Sequence, residues 1–456
     1  MDWQLLLNDS RLGIDQSSSK DSLDGRSQFQ KDFDRVVFSP AFRRLQDKTQ
    51  VFPLPETDFV HTRLTHSLEV AVVGRSLGNL VGENIIERHP ELKKQFNKFH
   101  FGDIIAAACL AHDIGNPPFG HSGEDAISEY FKNGGGKEFK DKITDEKKWL
   151  DLIKYEGNAQ GFRIITALQN PDVKGGLQLT YATIASFTKY PRESFISKKP
   201  VQYTNYSVYS KYGFFQAEKE IFKEVAESCR LEFTDKEGSY WWFRHPLAFL
   251  MEAADDICYR IMDLEDGFRL GLVSFAEAEE LIFPLVDTRN LEGYEKRDER
   301  EKIGYLRAKA ISDLVNELAK TFLDEEGNIL SGKLDNHLIS IIPKAEPLKE
   351  IMDVSINKIY RARNVVEREV AGYEVLGGLL DTFIHAYNDY LENNYSKRTL
   401  AIINLLPKRI ITEGNIDLYN RLLTILDFIS GMTDSFAVSL FRKIKGISLP
   451  EGRVSD

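Results

Sequence analysis

A histidine followed at once by an aspartate, His112-Asp113, is the first place where residue types in this sequence suggest chemistry. Imidazole nitrogen and carboxylate oxygen both bind divalent metal ions. Adjacent helical residues point about 100° apart, so both reach one ion only from the last turn of a helix. Gly115 and Pro117-Pro118 follow and predict that ending. Roughly one such dipeptide is expected by chance in a chain of this composition, so the pair needs further partners.

Two more residues extend the pair to a candidate metal site. His66 lies in HTRLTHSLEVA, at the start of the preceding helical pattern, and antiparallel packing of the two helices would bring it beside His112. Asp255 lies in LMEAADDICYRIMDLEDG, where apolar residues mark one helical face and acids the other. Two imidazoles and two carboxylates form a mixed nitrogen and oxygen set that suits Mn, Fe, Mg or Zn.

The helical register favours Asp255 over its neighbour Asp256 as the metal ligand. Asp255, Tyr259 and Asp263 are spaced i, i+4 and i+8 and form one stripe, whereas Asp256 points about 100° away. A substrate whose phosphate contacts the metal would therefore extend along Tyr259 and Asp263.

A second histidine, His121, is suited to proton transfer. In FGHSGEDAI, Ser122 and Asp125 have the spacing of a capping box that begins the next helix. His121 would stand just before that helix, where Glu124 could orient its ring. Proton transfer to a leaving oxygen or from water is the chemistry that this arrangement predicts.

The elements that must position these residues are mainly helical. Apolar residues recur at helical spacing in most of the chain, and alternation is limited to short runs such as Leu177–Ile184. We therefore predict an all-α fold. The predicted helices are Leu64–Arg88, Asp103–Ala111, Gly157–Leu168, His245–Gly267, Glu301–Leu323, Gly372–Leu391 and Tyr419–Ile429.

Two segments, Asn133–Asp145 and Tyr190–Phe215, have glycines or mixed polar residues without a period and are predicted to be irregular. The second is long enough to be a functional loop. Its lysines, Lys198, Lys199 and Lys211, make it a candidate wall for a phosphate pocket, and a solvated loop is the alternative interpretation.

Composition limits the classes of protein that remain. The 456 residues are 42% hydrophobic and 28% charged, and no apolar run approaches the roughly 20 residues that span a bilayer. The N-terminal MDWQLLLNDSRLG lacks the basic start of a secretory signal, so we expect a cytoplasmic protein. Three scattered cysteines predict reduced, buried thiols. A net charge of −11 argues against broad nucleic-acid binding.

The order of His66, His112-Asp113 and a later aspartate resembles the H…HD…D signature of the HD phosphohydrolase superfamily. Further segments, in family order from about residue 27 to residue 437, resemble the bacterial deoxyguanosinetriphosphate triphosphohydrolase family. They are FQKDFDRVVFSPAFRRLQDKTQVFPLP, HDIGNPPFGHSGE, YEGNAQGFR, KYGFF, EAADDICYRIMDLED and SGMTDSFA.

The resemblance implies an architecture. One elaborated unit would span residues 1–456, with an HD-domain helical core at about 60–265, additional helices and small irregular insertions. A C-terminal helical region at about 300–456 would complete the nucleotide pocket and make subunit contacts. The segment IYRARNVVEREVAGYEV resembles the part of that region that contributes to the base pocket or to those contacts.

The resemblance also implies hydrolysis of a dNTP, preferably dGTP, to deoxynucleoside and inorganic triphosphate at a divalent metal ion. The matching metal ligands are His66, His112, Asp113 and Asp255, and the matching acid–base pair is His121 and Glu124. The matching phosphate contacts are Arg63, Asn158, Lys189, Tyr190 and Lys211, and the matching sugar contacts are Gln50, Tyr259 and Asp263.

Two rival functions share part of this pattern. An HD phosphodiesterase or monophosphate nucleotidase would use the same metal ligands without the extra phosphate contacts. A nucleotide sensor or nucleic-acid-binding protein would keep a vestigial site, against which the complete ligand set argues. The family further implies a homohexamer, control by an activating dNTP and, in some members, binding of single-stranded DNA.

Overall fold

The computed structural model describes residues 1–15, 25–51, 61–196, 211–234, 238–334, 336–412 and 416–448, and there the fold is all-α, as predicted. In these ranges, pairing between extended residues is limited to isolated bridges such as that of Arg11 with Thr180. The α-helices in chain order are α1 (Trp3–Leu6), α2 (Gln28–Val37), α3 (Pro40–Arg44), α4 (Arg63–Arg88), α5 (Lys98–Ala111), α6 (His121–Lys132), α7 (Glu146–Ile153), α8 (Gly157–Arg163), α9 (Tyr181–Phe187), α10 (Lys219–Ser228), α11 (Pro246–Arg269), α12 (Phe275–Ile282), α13 (Glu299–Asp324), α14 (Glu326–Leu330), α15 (Ala345–Val354), α16 (Arg363–Leu391), α17 (Lys397–Ile403), α18 (Lys408–Thr412), α19 (Leu418–Ser430) and α20 (Asp434–Ile444).

Short helical turns of other types connect these helices. The 3₁₀ helices are Leu45–Asp47, Pro90–Lys94, Gly135–Lys142, Gln216–Glu218, Phe283–Leu285, Thr288–Asn290, Tyr294–Lys296 and Leu338–Ser340. The π-helical turns are Ile164–Leu168, directly after α8, and Ser355–Tyr360, directly after α15.

Glycines at every fourth position of α4 allow this helix to lie directly against α5. A Cβ atom at Gly78 would come within 2.7 Å of the Cα atom of Gly102, and one at Gly74 within 2.6 Å of the Cys109 sulfur. Backbones can approach this closely only where side chains are absent. The contact brings the start of α4 beside the end of α5, where His66 and His112 lie.

Helix α5 is the central helix of the HD region. Every residue from Phe101 to Ala111 is buried, which confirms the buried helix predicted there, although the helix begins earlier, at Lys98. Asn97 caps this start by accepting a hydrogen bond from the backbone N–H of Phe99. After α5 the chain passes close to α8 at Gly115, where a Cβ atom would lie 2.1 Å from the Gly157 carbonyl oxygen.

Two hydrophobic cores meet at the segment that follows α5. The larger is built mainly from α2, α4, α5, α9, α11 and α13, and the smaller mainly from α6, α7, α16 and α19. Ile114 belongs to the larger core and Phe119 to the smaller. The short loop between Ile114 and Phe119 therefore connects the two cores, and it directly follows His112 and Asp113.

The predicted helices are confirmed, with shifts at their ends. Helices α4, α11, α13 and α19 match their predicted ranges within two residues at each end. The helix predicted at Gly157–Leu168 is α8 followed by a π-helical turn. Helix α16 begins at Arg363, earlier than the predicted start at Gly372. The prediction missed the first turns of this helix because they are polar and lack a clear apolar stripe.

The prediction of an irregular segment at Asn133–Asp145 is wrong in part, because Gly135–Lys142 is a 3₁₀ helix whose Phe139 is buried in the smaller core. The alternating run Leu177–Ile184 is no strand: Thr180 makes a single bridge and caps α9. In Tyr190–Phe215, the described residues 190–196 and 211–215 contain no helix. Lys198 and Lys199 lie outside the described residues.

All three cysteines are free and buried, as predicted. Within the described ranges, no single helix has the length and apolar character needed to cross a bilayer. Only α19 and α20 taken together reach that length and composition, and they are bent by 111°.

Candidate active site

One cavity of about 490 Å³ collects nearly all of the predicted site residues. It lies where α4, α5 and α11 meet the loop after α5. Of the predicted residues, only Asp263 is absent from its wall. The predicted residues that line it are Gln50, Arg63, His66, His112, Asp113, His121, Glu124, Asn158, Lys189, Tyr190, Lys211, Asp255 and Tyr259.

The four predicted metal ligands converge in this cavity. One ligand atom from each of His66, His112 and Asp113 lies within 4.8 Å of the others, and all three residues are buried. The Asp255 Oδ1 atom lies 3.1 Å from His66 Nε2 and 3.4 Å from His112 Nε2. Helices α4, α5 and α11 thus bring together residues that are up to 189 positions apart in the chain.

The neighbours of His112 fit the role of a metal ligand. His112 Nδ1 lies 2.6 Å from the Cys109 carbonyl oxygen and donates to it, so that in the neutral, metal-binding ring the lone pair is on Nε2. His112 Nε2 is buried and faces two carboxylates, with Asp255 Oδ1 at 3.4 Å and Asp113 Oδ2 at 3.5 Å. A divalent ion among the four donors would take the place of a proton on this nitrogen.

The charges of the site keep both carboxylates ionised. Burial alone would raise the pKa of Asp113, but Arg63 and His112 hold it well below its usual range. Burial is likewise outweighed at Asp255, where Lys189 and His112 hold the pKa well below its usual range. Ionised carboxylates are the form that binds metal.

The Asp113 carboxylate is oriented from both sides. Arg63 Nη1 donates to Oδ2 at 2.7 Å, and Asn116 Nδ2 donates to Oδ1 at 2.6 Å. Gly120 is required beside this pair, since a Cβ atom there would lie 2.6 Å from Arg63 Nη2. Gly120 also has φ +60°, a left-handed conformation that favours glycine.

His121 and Glu124 form the pair that the sequence predicts. His121 Nδ1 lies 2.8 Å from Glu124 Oε2, and Glu124 Oε1 accepts a hydrogen bond from the backbone N–H of Gly157 at 2.6 Å. The His121 side chain is 69% exposed and lines the cavity, so it is open to a ligand. Burial would raise the pKa of Glu124, but His121 and Lys211 lower it, so this carboxylate is ionised.

The predicted capping box at Ser122 and Asp125 is wrong. Helix α6 begins at His121, its cap residue is Gly120, and no side chain caps it. Ser122 Oγ instead donates to the Phe119 carbonyl oxygen at 2.9 Å. The left-handed turn at Gly120 decides the start of the helix, and a capping motif does not detect such a turn.

The predicted phosphate contacts form a basic wall with acidic partners. Lys189 Nζ donates to Asp255 Oδ2 at 2.5 Å, so this lysine lies directly against a candidate metal ligand. Asn158 Nδ2 donates to Glu156 Oε1 at 2.6 Å. The pKa of Lys211 is raised above its usual value because Glu156 and Glu124 outweigh its burial. Both lysines are therefore cationic.

The predicted sugar contacts contain an additional tyrosine. Gln50 Oε1 is buried and, among the described residues, has no hydrogen-bond partner. The rings of Tyr259 and Tyr360 lie 5.8 Å apart, and the Tyr360 hydroxyl donates to Asp263 Oδ2 at 2.6 Å. Asp263 is only 2% exposed, so Tyr360, which lines the cavity, stands where Asp263 was expected.

Several residues of the cavity wall were not predicted. Asn116 follows Asp113 by three residues, and that spacing at the end of a helix could have revealed it. Tyr360 belongs to the segment whose individual residues carried no assignment. Glu369 belongs to the same segment. No local pattern points to the remaining polar residues of the wall, which are Thr49, Ser122, Glu252, Asp256 and His337.

Comparisons with known proteins show the family of the chain. The HD domain model matches residues 63–180, and the phosphohydrolase-associated domain model matches residues 343–443. A Synechocystis protein named deoxyguanosinetriphosphate triphosphohydrolase-like protein is 47% identical, over 98% of this chain and 100% of its own length. A Pseudomonas aeruginosa protein of the same name is 41% identical, over 99% of this chain and 100% of its own.

A third relative, from Yersinia enterocolitica, is named deoxyguanosinetriphosphate triphosphohydrolase. It is 30% identical over 94% of this chain and 95% of its own length. The similarity therefore extends over nearly the whole chain, including the helices of the HD match and the C-terminal helices. This chain belongs to the deoxyguanosinetriphosphate triphosphohydrolase family of the HD superfamily.

Proposed function

We propose that this protein hydrolyses deoxynucleoside triphosphates, preferably dGTP, to deoxynucleoside and inorganic triphosphate with a divalent metal ion, Mn, Mg or Fe, with Zn as an alternative. One observation carries the proposal: the four candidate metal donors share a cavity with the cationic side chains of Arg63, Lys189 and Lys211. A monophosphate substrate would need fewer cations. The printed names of the relatives support the same substrate class.

The residues around the metal donors have distinct tasks in this reaction. A divalent ion held by His66, His112, Asp113 and Asp255 would supply a Lewis acid for the α-phosphoryl group and for water. His121, held through Nδ1 by Glu124, leaves Nε2 to deliver a proton to the 5′-oxygen that departs from the α-phosphorus. Arg63, Lys189 and Lys211 offset the charge of the triphosphate, which is most of what phosphoryl transfer requires.

The sugar end of the cavity accounts for a preference for deoxyribose. Tyr259 would pack beneath the ring and leave little room at C2′, so a ribonucleotide would bring a hydroxyl without a partner. Gln50 and the Tyr360 hydroxyl would hold the 3′-hydroxyl, and Asp263 would act through its hydrogen bond with Tyr360.

The test incubates the Mn²⁺-loaded protein with each dNTP and NTP, alone and in pairs, and identifies the phosphate product by ³¹P NMR. We expect one inorganic triphosphate per deoxynucleoside, with dGTP used best. Stoichiometric pyrophosphate or orthophosphate would place the attack at another bond. A protein that cleaves only monophosphates or diesters would be a nucleotidase or phosphodiesterase instead.

His121→Ala is the internal control for this reaction. It should retain Mn²⁺ and substrate affinity while kcat falls about 10²–10⁴-fold, the usual contribution of proton transfer. A near-normal kcat in this variant would exclude His121 from the mechanism without affecting the identity of the product.

We also propose the assembly that the family resemblance implies: a cytoplasmic homohexamer, activated by a dNTP and able to bind single-stranded DNA. In the C-terminal region at about 300–456, Tyr360, Val365 and Glu369 line the cavity. Exposed Val366 and Val370 lie one turn apart on α16 and suit a subunit contact. Sedimentation with and without dNTPs tests this, and a monomer under both conditions would contradict it.

A further inference from the structure

A buried carboxylate at the start of α20, Asp434, holds two walls of the cavity together. Asp434 is 1% exposed, and its Oδ1 atom accepts a hydrogen bond from the backbone N–H of Phe119 at 3.0 Å. Its Oδ2 atom accepts from the backbone N–H of Thr49 at 3.0 Å and also from the Thr49 hydroxyl. Phe119 lies two residues before His121, and Thr49 directly precedes Gln50.

A buried lysine side chain, that of Lys48, holds the same loop from its other end. Lys48 is 3% exposed, and Nζ donates to the Asn116 carbonyl oxygen at 2.5 Å and to the Ser430 carbonyl oxygen at 2.8 Å. The side chain of Asn116 in turn donates to Asp113 Oδ1. The Lys48 carbonyl accepts from the backbone N–H of Arg63 at 3.2 Å, at the start of α4.

The loop between Asp113 and His121 needs such support. Pro117 and Pro118 have no backbone N–H and cannot contribute donors to the loop. Phe119 has φ +65°, a left-handed conformation that a residue with a side chain adopts at a cost and keeps only where its surroundings fix it. The hydrogen bond to Asp434 is made by the N–H of this residue.

Burial of an ionisable side chain in a protein core costs free energy. Apolar side chains of similar volume often stabilise a fold equally well or better, so Lys48 and Asp434 are poorly explained by stability alone. Their contacts end on backbone atoms of the two segments that carry the proposed catalytic residues. Supports of this kind fix the geometry of a site.

We propose that Lys48 and Asp434 are positioning residues, which hold the loop of residues 113–120 so that Asp113 and His121 keep their relative places. The inference rests on the proposed function for its catalytic consequence, but its effect on the metal site is independent of turnover. It also assigns a task to the C-terminal helices, because Asp434 begins α20 and Ser430 ends α19.

The test compares Lys48→Met, Asp434→Asn and Asp434→Ala with Asp417→Ala as a matched control. Asp417 caps α19 through the backbone N–H of Asn420 and pairs with Lys148 of α7 at 3.1 Å. These contacts of Asp417 do not involve the loop, so its variant reports a loss of C-terminal contacts away from the loop. Kcat, KM, Mn²⁺ affinity and melting temperature are measured for each protein, with the dNTP that the wild type uses best.

We expect Asp434→Ala to lower kcat about 10²-fold, with KM changed less than about threefold, because loss of alignment affects proton transfer more than binding. Asp434→Asn should be intermediate, since one amide oxygen still accepts a hydrogen bond. Lys48→Met should weaken Mn²⁺ binding about 10-fold to 100-fold through Asn116 and Asp113, the usual range for loss of support to a ligand.

The outcomes separate this inference from the proposed function. If kcat and Mn²⁺ affinity of the three variants match those of Asp417→Ala, the inference is wrong. If the wild type hydrolyses no dNTP but Lys48→Met still weakens Mn²⁺ binding, the proposed function fails and the positioning role stands. If Asp434→Ala does not fold, Asp434→Asn and Lys48→Met decide the question by the same measurements.

Discussion

Two adjacent aspartates of α11, Asp255 and Asp256, have different partners. Asp255 contacts His66, His112 and Lys189, whereas Asp256 Oδ1 accepts from Arg260 Nη1 at 2.6 Å. Their side chains diverge because neighbouring helical residues point about 100° apart. Asp255 is therefore one of the candidate metal donors, whereas Asp256 forms an ion pair within its own helix.

The Mn²⁺ affinities of variants at Asp255 and Asp256 should differ. Asp255→Ala should lower Mn²⁺ affinity at least about 100-fold, because it removes a direct ligand, whereas Asp256→Ala should change it less than about threefold. Metal analysis after dialysis provides the measurement. Retention of metal in the first variant and its loss in the second would reverse the assignment.

Recognition of the sugar in the cavity is also expected to depend on single side chains, among them Asp263. Burial raises the pKa of Asp263 to about 8, although the Tyr360 hydroxyl lowers it in part. In the substrate-free protein this carboxyl is thus largely protonated at neutral pH. The hydrogen bond between Asp263 and Tyr360, which positions the Tyr360 hydroxyl for the 3′-hydroxyl, then joins neutral groups and is worth about 0.5–1.5 kcal/mol.

Asp263→Ala should therefore lower kcat/KM for dGTP about 2-fold to 12-fold near pH 7 and leave 2′,3′-dideoxy-GTP unaffected. Tyr259→Ala should instead erode discrimination against GTP. Measuring kcat/KM for the three nucleotides on wild type and both variants decides the matter. Equal kcat/KM of the wild type for GTP and dGTP would mean that this face of α11 does not discriminate between ribose and deoxyribose.

At the scale of elements, the distance between α4 and α5 determines whether His66 and His112 can share an ion. The two rings lie 5.3 Å apart between centroids, at one end of the helix pair. Gly78 and Gly102 meet farther along the same contact. Any side chain at that point would push the helices apart, because the two backbones are in direct contact and leave no space for further atoms.

Gly78→Ala should reduce the free energy of unfolding by about 1–3 kcal/mol, the usual cost of overpacking, and weaken Mn²⁺ binding. Gly304→Ala is the control, since Gly304 lies in α13 with open space around it and alanine favours a helix by about 0.5–1 kcal/mol. Urea unfolding of both variants gives the comparison. Equal effects of the two substitutions would show that the contact between α4 and α5 tolerates a methyl group.

At the scale of the whole molecule, buried polar groups join the HD region to the C-terminal helices. Asp151 on α7 is fully buried, and its Oδ2 atom accepts from the Gln216 backbone N–H at 2.7 Å and from the Tyr419 hydroxyl of α19 at 2.5 Å. Burial raises the pKa of Asp151 to about 7, although these donors lower it in part. The molecule therefore contains a junction that is sensitive to pH.

The sign of that sensitivity follows from linkage. In the unfolded chain Asp151 ionises near pH 4, whereas in the folded protein it stays protonated to about pH 7, so its contribution to stability falls as pH rises between these values. Asp151→Asn keeps an oxygen for both donors but cannot ionise. Relative to wild type, it should gain about 2–3 kcal/mol between pH 5 and pH 8.

Urea unfolding of both proteins at pH 5 and pH 8 measures this difference. Glu218, whose pKa burial also raises to about 7, remains in both proteins, so the difference isolates Asp151. A difference that does not change with pH would mean that Asp151 ionises in the folded protein at its usual pKa.

The sequence by itself determined the all-α class, most helix positions and the candidate metal donors of the cavity. Helical periodicity and the choice of His, Asp and Lys are local properties, visible within one turn of chain. His112-Asp113 at a helix end and the stripe that begins at Asp255 belong to this class. The family resemblance added His121 and Glu124 as a pair and the residues of the phosphate wall.

Only the tertiary structure decided which distant groups meet. Tyr360 lies between the cavity and Asp263, and Asp434 bonds to Thr49 across 385 positions of chain. The start of α6 depends on the left-handed turn at Gly120, which no capping pattern encodes. Such contacts depend on how completed helices pack, and a pattern that relates residues three or four positions apart contains no information about them.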